Sequence, residues 1–235
     1  MSVFDLYITN TLENNRVSRE LVALYMHRIL TAGGNVISGV FTVVFIYQYF
    51  GNSLWAALYT FGAIYFGTVL VTPISARLLR TMGTRRLLLL ALPCMAAGVW
   101  ALYLVQGHAG GEPYVIGVAA FIALAVLYRA LYWVPYHVNA TQLLDRSLMG
   151  VQYALLESVA DAALAILPFI GGIIIASLGF GSLFLLSATF FLFASIPLLW
   201  VTNRYERYEW GFIETFRQLF ARRNRSLLFA CVGDG

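Results

Sequence analysis

Lysine is absent from this chain: all 15 basic residues are arginine, and only 11% of the 235 residues are charged. A soluble domain carries roughly 25%, so there is too little charge here to wet the surface of a water-soluble fold. Cysteine is scarce as well. Cys94 and Cys231 each sit in an apolar run, which gives neither a disulfide framework nor a ligand spacing, and both read as small buried hydrophobes. His27, His108 and His137 fall one to a distant segment, which excludes a histidine metal set of the usual spacing. The GxSxG, HExxH, Walker and GxGxxG patterns are all missing, which removes the common hydrolase, metalloprotease, nucleotide-hydrolysing and dinucleotide-binding signatures. Neither a metal nor a cofactor is expected. The polar first twenty residues contain Asp5, Glu13, Arg16, Arg19 and Glu20, unlike the short apolar core of a cleaved signal peptide.

What the chain has in excess is hydrophobicity, at 60% of residues with a mean hydropathy of +0.78. Six apolar segments run over 25–50, 54–76, 87–106, 115–142, 150–178 and 182–201. Each supplies the ~20 residues that a helix needs to cross ~30 Å of hydrocarbon. Only helices or closed barrels satisfy their backbone groups in lipid, and these segments lack the dyad alternation of barrel strands. The fold class is therefore all-α: a polytopic membrane protein of six transmembrane helices.

A basic balance, here a net charge of +4, is the footprint of nucleic-acid binders. The positions of the arginines explain it differently. Loops 51–53, 107–114 and 179–181 contain no arginine, whereas every arginine but Arg129 lies on the other side. By the positive-inside rule that side is cytoplasmic. The expected location is the cytoplasmic (inner) membrane with the N-terminus inside, the bilayer as partner and nucleic acid not. Tyr47, Tyr49, Phe50 and Trp55 would sit at the outer interface, and Trp200, Tyr205, Tyr208 and Trp210 at the inner one.

Beyond the sixth segment, Phe212, Ile213, Phe216, Leu219 and Phe220 recur at helical spacing among polar residues, the pattern of an amphipathic helix on the inner face. A further apolar run begins at Ser226 and covers ten residues, short of a span. The expected organisation is a cytoplasmic segment over 1–24, a bundle over 25–201, an amphipathic linker over 202–225, and over 226–235 the start of a seventh helix that is cut.

Charges inside the hydrocarbon carry the chemistry. Arg129 lies near the middle of the fourth segment; Glu157 and Asp161, four apart in the fifth, share a face. Each costs ~3 kcal/mol or more at the helix centre unless paired or wet. Arg129 is sixteen residues before the turn near Asp145 and Asp161 sixteen after it. Antiparallel neighbours would set them level, which predicts an ion pair of Arg129 with Asp161, or with Glu157. Such a group either locks two helices or handles substrate and protons. Asn35, Ser38, Thr42 and Gln48 on the first helix, with Trp133, Tyr136, His137 and Asn139 on the fourth, suit a solvated cavity or polar helix contacts. The small-residue pairs Ala63 with Gly67 and Gly34 with Ser38 read as packing features.

Six spans, a basic loop between the second and third, and an amphipathic segment after the sixth resemble the N-terminal half of a major facilitator superfamily transporter. Its loop pattern is Gly-x-x-x-Asp-basic-x-Gly-basic-basic. Here Gly83 and Arg85 match, while Ala76 replaces the first glycine, Arg80 stands in place of the aspartate, and Thr81 and Thr84 replace basic residues. Pro168-Phe169-Ile170-Gly171-Gly172 resembles the end of a motif seen in some antiporters of the superfamily, without its upstream glycines. The resemblance implies a secondary transporter of a small solute, with protons as a candidate coupling ion. It implies alternating access around a midplane site lined by the first and fourth helices, and a missing C-terminal half as partner. A six-helix membrane enzyme or accessory subunit is one alternative, and a half-carrier acting as a dimer is the other.

Overall fold

The computed structural model of the chain describes residues 19–106, 112–144 and 148–206. Regular structure among them is entirely helical: α1 (Arg19–Tyr49), α2 (Leu54–Met82), α3 (Thr84–Val105), α4 (Glu112–Leu143) and α5 (Met149–Leu198). All five are long and apolar enough to cross a membrane. The 50-residue α5 is interrupted at Gly179, which lies at φ 78°, ψ 176°, a backbone region open to glycine and costly for a side chain. Two helical arms result, 149–178 and 180–198, and the turn expected over 179–181 shrinks to one residue.

Several hydroxyls within the spans are hidden by bonding back one turn. Thr60 donates to the Ala56 carbonyl at 2.8 Å, and Thr68 and Thr72 donate to Ile64 and Thr68 at 2.7 Å. This lets polar side chains stand in hydrocarbon without an unmet bond. α1 packs along α5, α3 on α4 and α5, and α2 on α4. Gly67 makes the α2–α4 contact, because a Cβ there would lie 2.8 Å from Val126 Cγ2; small residues of this kind let membrane helices approach closely. The Gly34 with Ser38 pair serves the α1–α5 contact. Ser187 donates to the Gly34 carbonyl at 3.0 Å, and Ser38 donates to the same oxygen at 2.8 Å.

The core is aromatic and aliphatic, with Phe45, Phe184, Phe191, Tyr132 and Tyr136 fully enclosed. The outside is apolar too: Phe66, Phe169 and Ile173 are 69%, 76% and 70% exposed. Apolar surface on this scale would drive aggregation in water. In hydrocarbon it is solvated, and the chain is an integral membrane protein.

Residues 201–206 cross one end of the bundle as a non-helical strap. The first N–H groups of any helix lack intrahelical partners, and the strap supplies them for α3. Thr84 N–H donates to the Arg204 carbonyl at 2.7 Å, and Arg85 and Arg86 N–H donate to Asn203 Oδ1 at 3.0 and 3.4 Å. Asn203 Nδ2 donates to the Met82 carbonyl at 2.9 Å. The Asn203 amide lies against Gly83, at φ 80°, where a Cβ would fall 2.5 Å from its Oδ1. Arg204 pairs with Glu20 at 3.0 Å and donates to the Gln142 carbonyl at 2.9 Å. Thr202 also bonds Glu20, and Gln142 bonds Glu206. α1, the α2–α3 junction and the end of α4 are thereby tied together. The amphipathic pattern over 212–220 and the run over 226–235 lie outside the described residues.

Candidate functional site

A cavity of about 330 Å³ opens within the bundle between α1, α2, α4 and the first arm of α5. Arg28, Asn35 and Thr42 line it from α1 at seven-residue intervals, hence from one helix face. Tyr65 lines it from α2, Tyr128, Arg129 and Trp133 from α4, and Asp161 from α5.

Among the described residues Arg28 is the best-enclosed charge. Its guanidinium meets Glu157 Oε2 at 2.5 Å, and its side chain is 9% exposed. The same guanidinium lies 5.7 Å from the Trp133 ring and 5.5 Å from the Tyr136 ring, so aromatic faces add to the ionic partner. Tyr136 donates to Glu157 Oε1 at 3.4 Å, which leaves this carboxylate bonded from two helices. Beside it, His27 Nδ1 faces the Ala194 carbonyl at 2.9 Å and Nε2 faces the Tyr132 hydroxyl at 3.1 Å. A carbonyl only accepts, so Nδ1 carries the proton, and in the neutral ring Nε2 accepts from Tyr132. His27 thus pins α1 to α4 and to the second arm of α5. Further along, Asn35 Nδ2 donates to the Tyr128 hydroxyl at 2.9 Å.

The expected pairing of Arg129 with Asp161 or Glu157 is corrected here. Among the described residues Arg129 forms no ion pair, because Glu157 is engaged by Arg28 and the Arg129 guanidinium lies 4.4 Å from the centre of the Tyr65 ring. A cation over an aromatic face keeps part of the stabilisation of an ion pair. Arg129 and Asp161 do face one cavity, as level antiparallel positions should. Three buried polar atoms of residues lining this site have no hydrogen-bond partner: Arg28 Nε, Arg129 Nε and Thr42 Oγ1.

Of the residues singled out from sequence, the cavity gathers Asn35, Trp133, Arg129 and Asp161, while Glu157 and Tyr136 belong to the adjoining Arg28 group. His137 points elsewhere: it stacks on Trp133 and meets the Tyr153 hydroxyl at 3.3 Å. Ser38 and Thr42 line the cavity; Gln48 and Asn139 do not. Arg28 escapes the sequence reasoning, which groups it with the basic end of the first helix. Its one sequence signal is its position inside the span, three residues past the expected start.

No protein-family model matches the chain, and no curated protein matches it. Solved structures do resemble it. A crystal structure of peptide transporter POT in complex with sulfate superposes with a TM-score of 0.65 at 16% identity, covering 91% of this chain and 45% of that one. A mutant of peptide transporter POT in complex with alafosfalin gives 0.64 at 16% identity, covering 90% and 45%. The likeness shows a common fold, and the chain spans less than half the length of those transporters.

Proposed function

We propose that the chain is the N-terminal six-helix half of a major facilitator superfamily secondary transporter. It moves a small solute across the inner membrane by alternating access, with its N-terminus in the cytoplasm. The observation that carries this reading is the cavity. Charged and polar groups from α1, α4 and α5 converge on a space inside a bundle whose outer faces are apolar, on a fold like one half of a transporter. Charges at membrane depth are retained where they face a solute or ion path. The two arms of α5 supply the fifth and sixth spans, and the strap with its Arg204 lies on the cytoplasmic side. The partner of the bundle is a second half of the same chain, and protons are a candidate coupling ion through Asp161 or Glu157.

Alternating access is tested by replacing Asn35 with cysteine in the intact transporter freed of its native cysteines. An impermeant maleimide should reach that position from outside intact cells and also from the inner face in inverted vesicles. Access from one side alone would overturn the mechanism. The half reading is tested on the coding sequence beyond codon 235, which should continue through a second set of spans. A stop codon there would favour the dimeric half-carrier.

A further inference from the structure

We infer that the solute of this cavity is zwitterionic and small, of amino-acid type, with its anionic group on Arg129 and its cationic group on Asp161. This rests on the transporter reading and specifies its substrate. Three side chains of charged type line the cavity, Arg28, Arg129 and Asp161. Arg28 is already neutralised by Glu157 at 2.5 Å. One cation and one anion are left on opposing elements, α4 and α5, and no ion pair joins them. Arg129 rests on the Tyr65 ring and Asp161 is exposed, so each is left without an ionic partner on the cavity wall. Had the pair merely locked two helices, direct contact would have been the cheapest arrangement.

The surroundings of Arg129 fit an anion. Its guanidinium rests on Tyr65, its Nε is buried without a hydrogen-bond partner, and the Tyr128–Asn35 pair from the neighbouring positions faces the same space. A planar donor fork with free N–H groups is suited to a carboxylate. A plain anion would meet Asp161 across the cavity and be repelled, and a plain amine would meet Arg129. Only a solute with both charges satisfies both walls, which discriminates by repulsion as well as by attraction. The volume of about 330 Å³ lies at the small end of ligand pockets.

The test uses the intact transporter, with both halves present, in lipid nanodiscs, and ligand-induced thermal stabilisation as readout. The probes are glycine, β-alanine, γ-aminobutyrate and ε-aminocaproate, which scan the charge separation, and L-leucine beside 4-methylpentanoate and isoamylamine, which share its skeleton and keep one charge each. At least one zwitterion should stabilise the transporter. The single-charge analogues should need roughly tenfold or higher concentration, the scale of one lost charged hydrogen bond. Asp161→Asn should reverse the preference towards 4-methylpentanoate, and Arg129→Gln towards isoamylamine, a swap that a purely structural role would not produce. Equal response to 4-methylpentanoate and leucine in the unmodified transporter, or no response to any zwitterion by a folded transporter, would overturn the inference. Counterflow of an uncharged solute by the intact transporter, untouched by either substitution, would sink the substrate class and leave transport standing. Absence of both-sided access at Asn35 would instead sink transport itself.

Discussion

At the scale of single residues, Arg28 is the side chain whose loss should be most informative. It is nearly enclosed and bonded to Glu157, whose side chain is 31% exposed. Breaking a fully buried pair costs roughly 3–5 kcal/mol because the survivor is stranded. The partial exposure of Glu157 reduces this, and Arg28→Ala should destabilise the chain by about 1–3 kcal/mol. Adding Glu157→Gln should return part of the loss, since no charge is then left alone. Thermal unfolding of the detergent-purified single and double variants measures the coupling, and strictly additive losses would show that the pair does not matter. The sequence made Glu157 and Arg129 visible as charges among apolar neighbours. It could not choose their partners, because that choice depends on where Arg28 and Tyr65, from other helices, arrive in space.

At the scale of helices, two contacts invite substitution. Gly67→Ala would push a methyl to 2.8 Å from Val126 Cγ2, and overpacking of this kind costs about 1–3 kcal/mol. Trimming the opposing side chain with Val126→Ala should recover much of it, read as melting temperature. Asn203→Ala would remove the acceptor for two N–H groups at the start of α3 and should cost about 1–2 kcal/mol, the range for a lost helix cap. Hydrogen exchange localised to the first turn of α3 would report it, and unchanged exchange there would refute the capping role. The helices themselves were legible, because long apolar runs in a charge-poor chain leave the backbone few other options. Their ends were less so. α2 runs past the expected limit at 76 to Met82, since Leu78, Leu79 and Met82 still pack on the core despite Arg77 and Arg80 beside them. The cap on α3 was invisible, because Asn203 lies 118 residues away from Arg85 and no local motif announces it.

For the whole molecule, the arginine asymmetry makes a prediction about sidedness. With Cys94 and Cys231 replaced by serine, an impermeant maleimide applied to intact cells should label Asn52→Cys and spare Thr81→Cys. Both positions are exposed, whereas Thr84 beside them is buried and would resist the reagent from either side. The reverse pattern would invert the orientation. Membrane class and the polar faces of α1 and α4 could be read from the sequence, because lipid imposes a demand on the whole sequence at once; the α2 wall of Phe61, Ile64 and Tyr65 could not, because nothing polar marks it. The separation of Arg129 from Asp161 could not, because equal depth along two helices says nothing of the gap between them.

The strap also bears on how the protein is made. Synthesis proceeds from the N-terminus, and the groups that satisfy Glu20, the first amides of α3 and the end of α4 come from residues 202–206. Until that stretch has left the ribosome, α1 to α4 can be threaded into the bilayer while their shared end stays open to water. Closure of the bundle is therefore a late event in its biogenesis, timed by the emergence of a few polar residues.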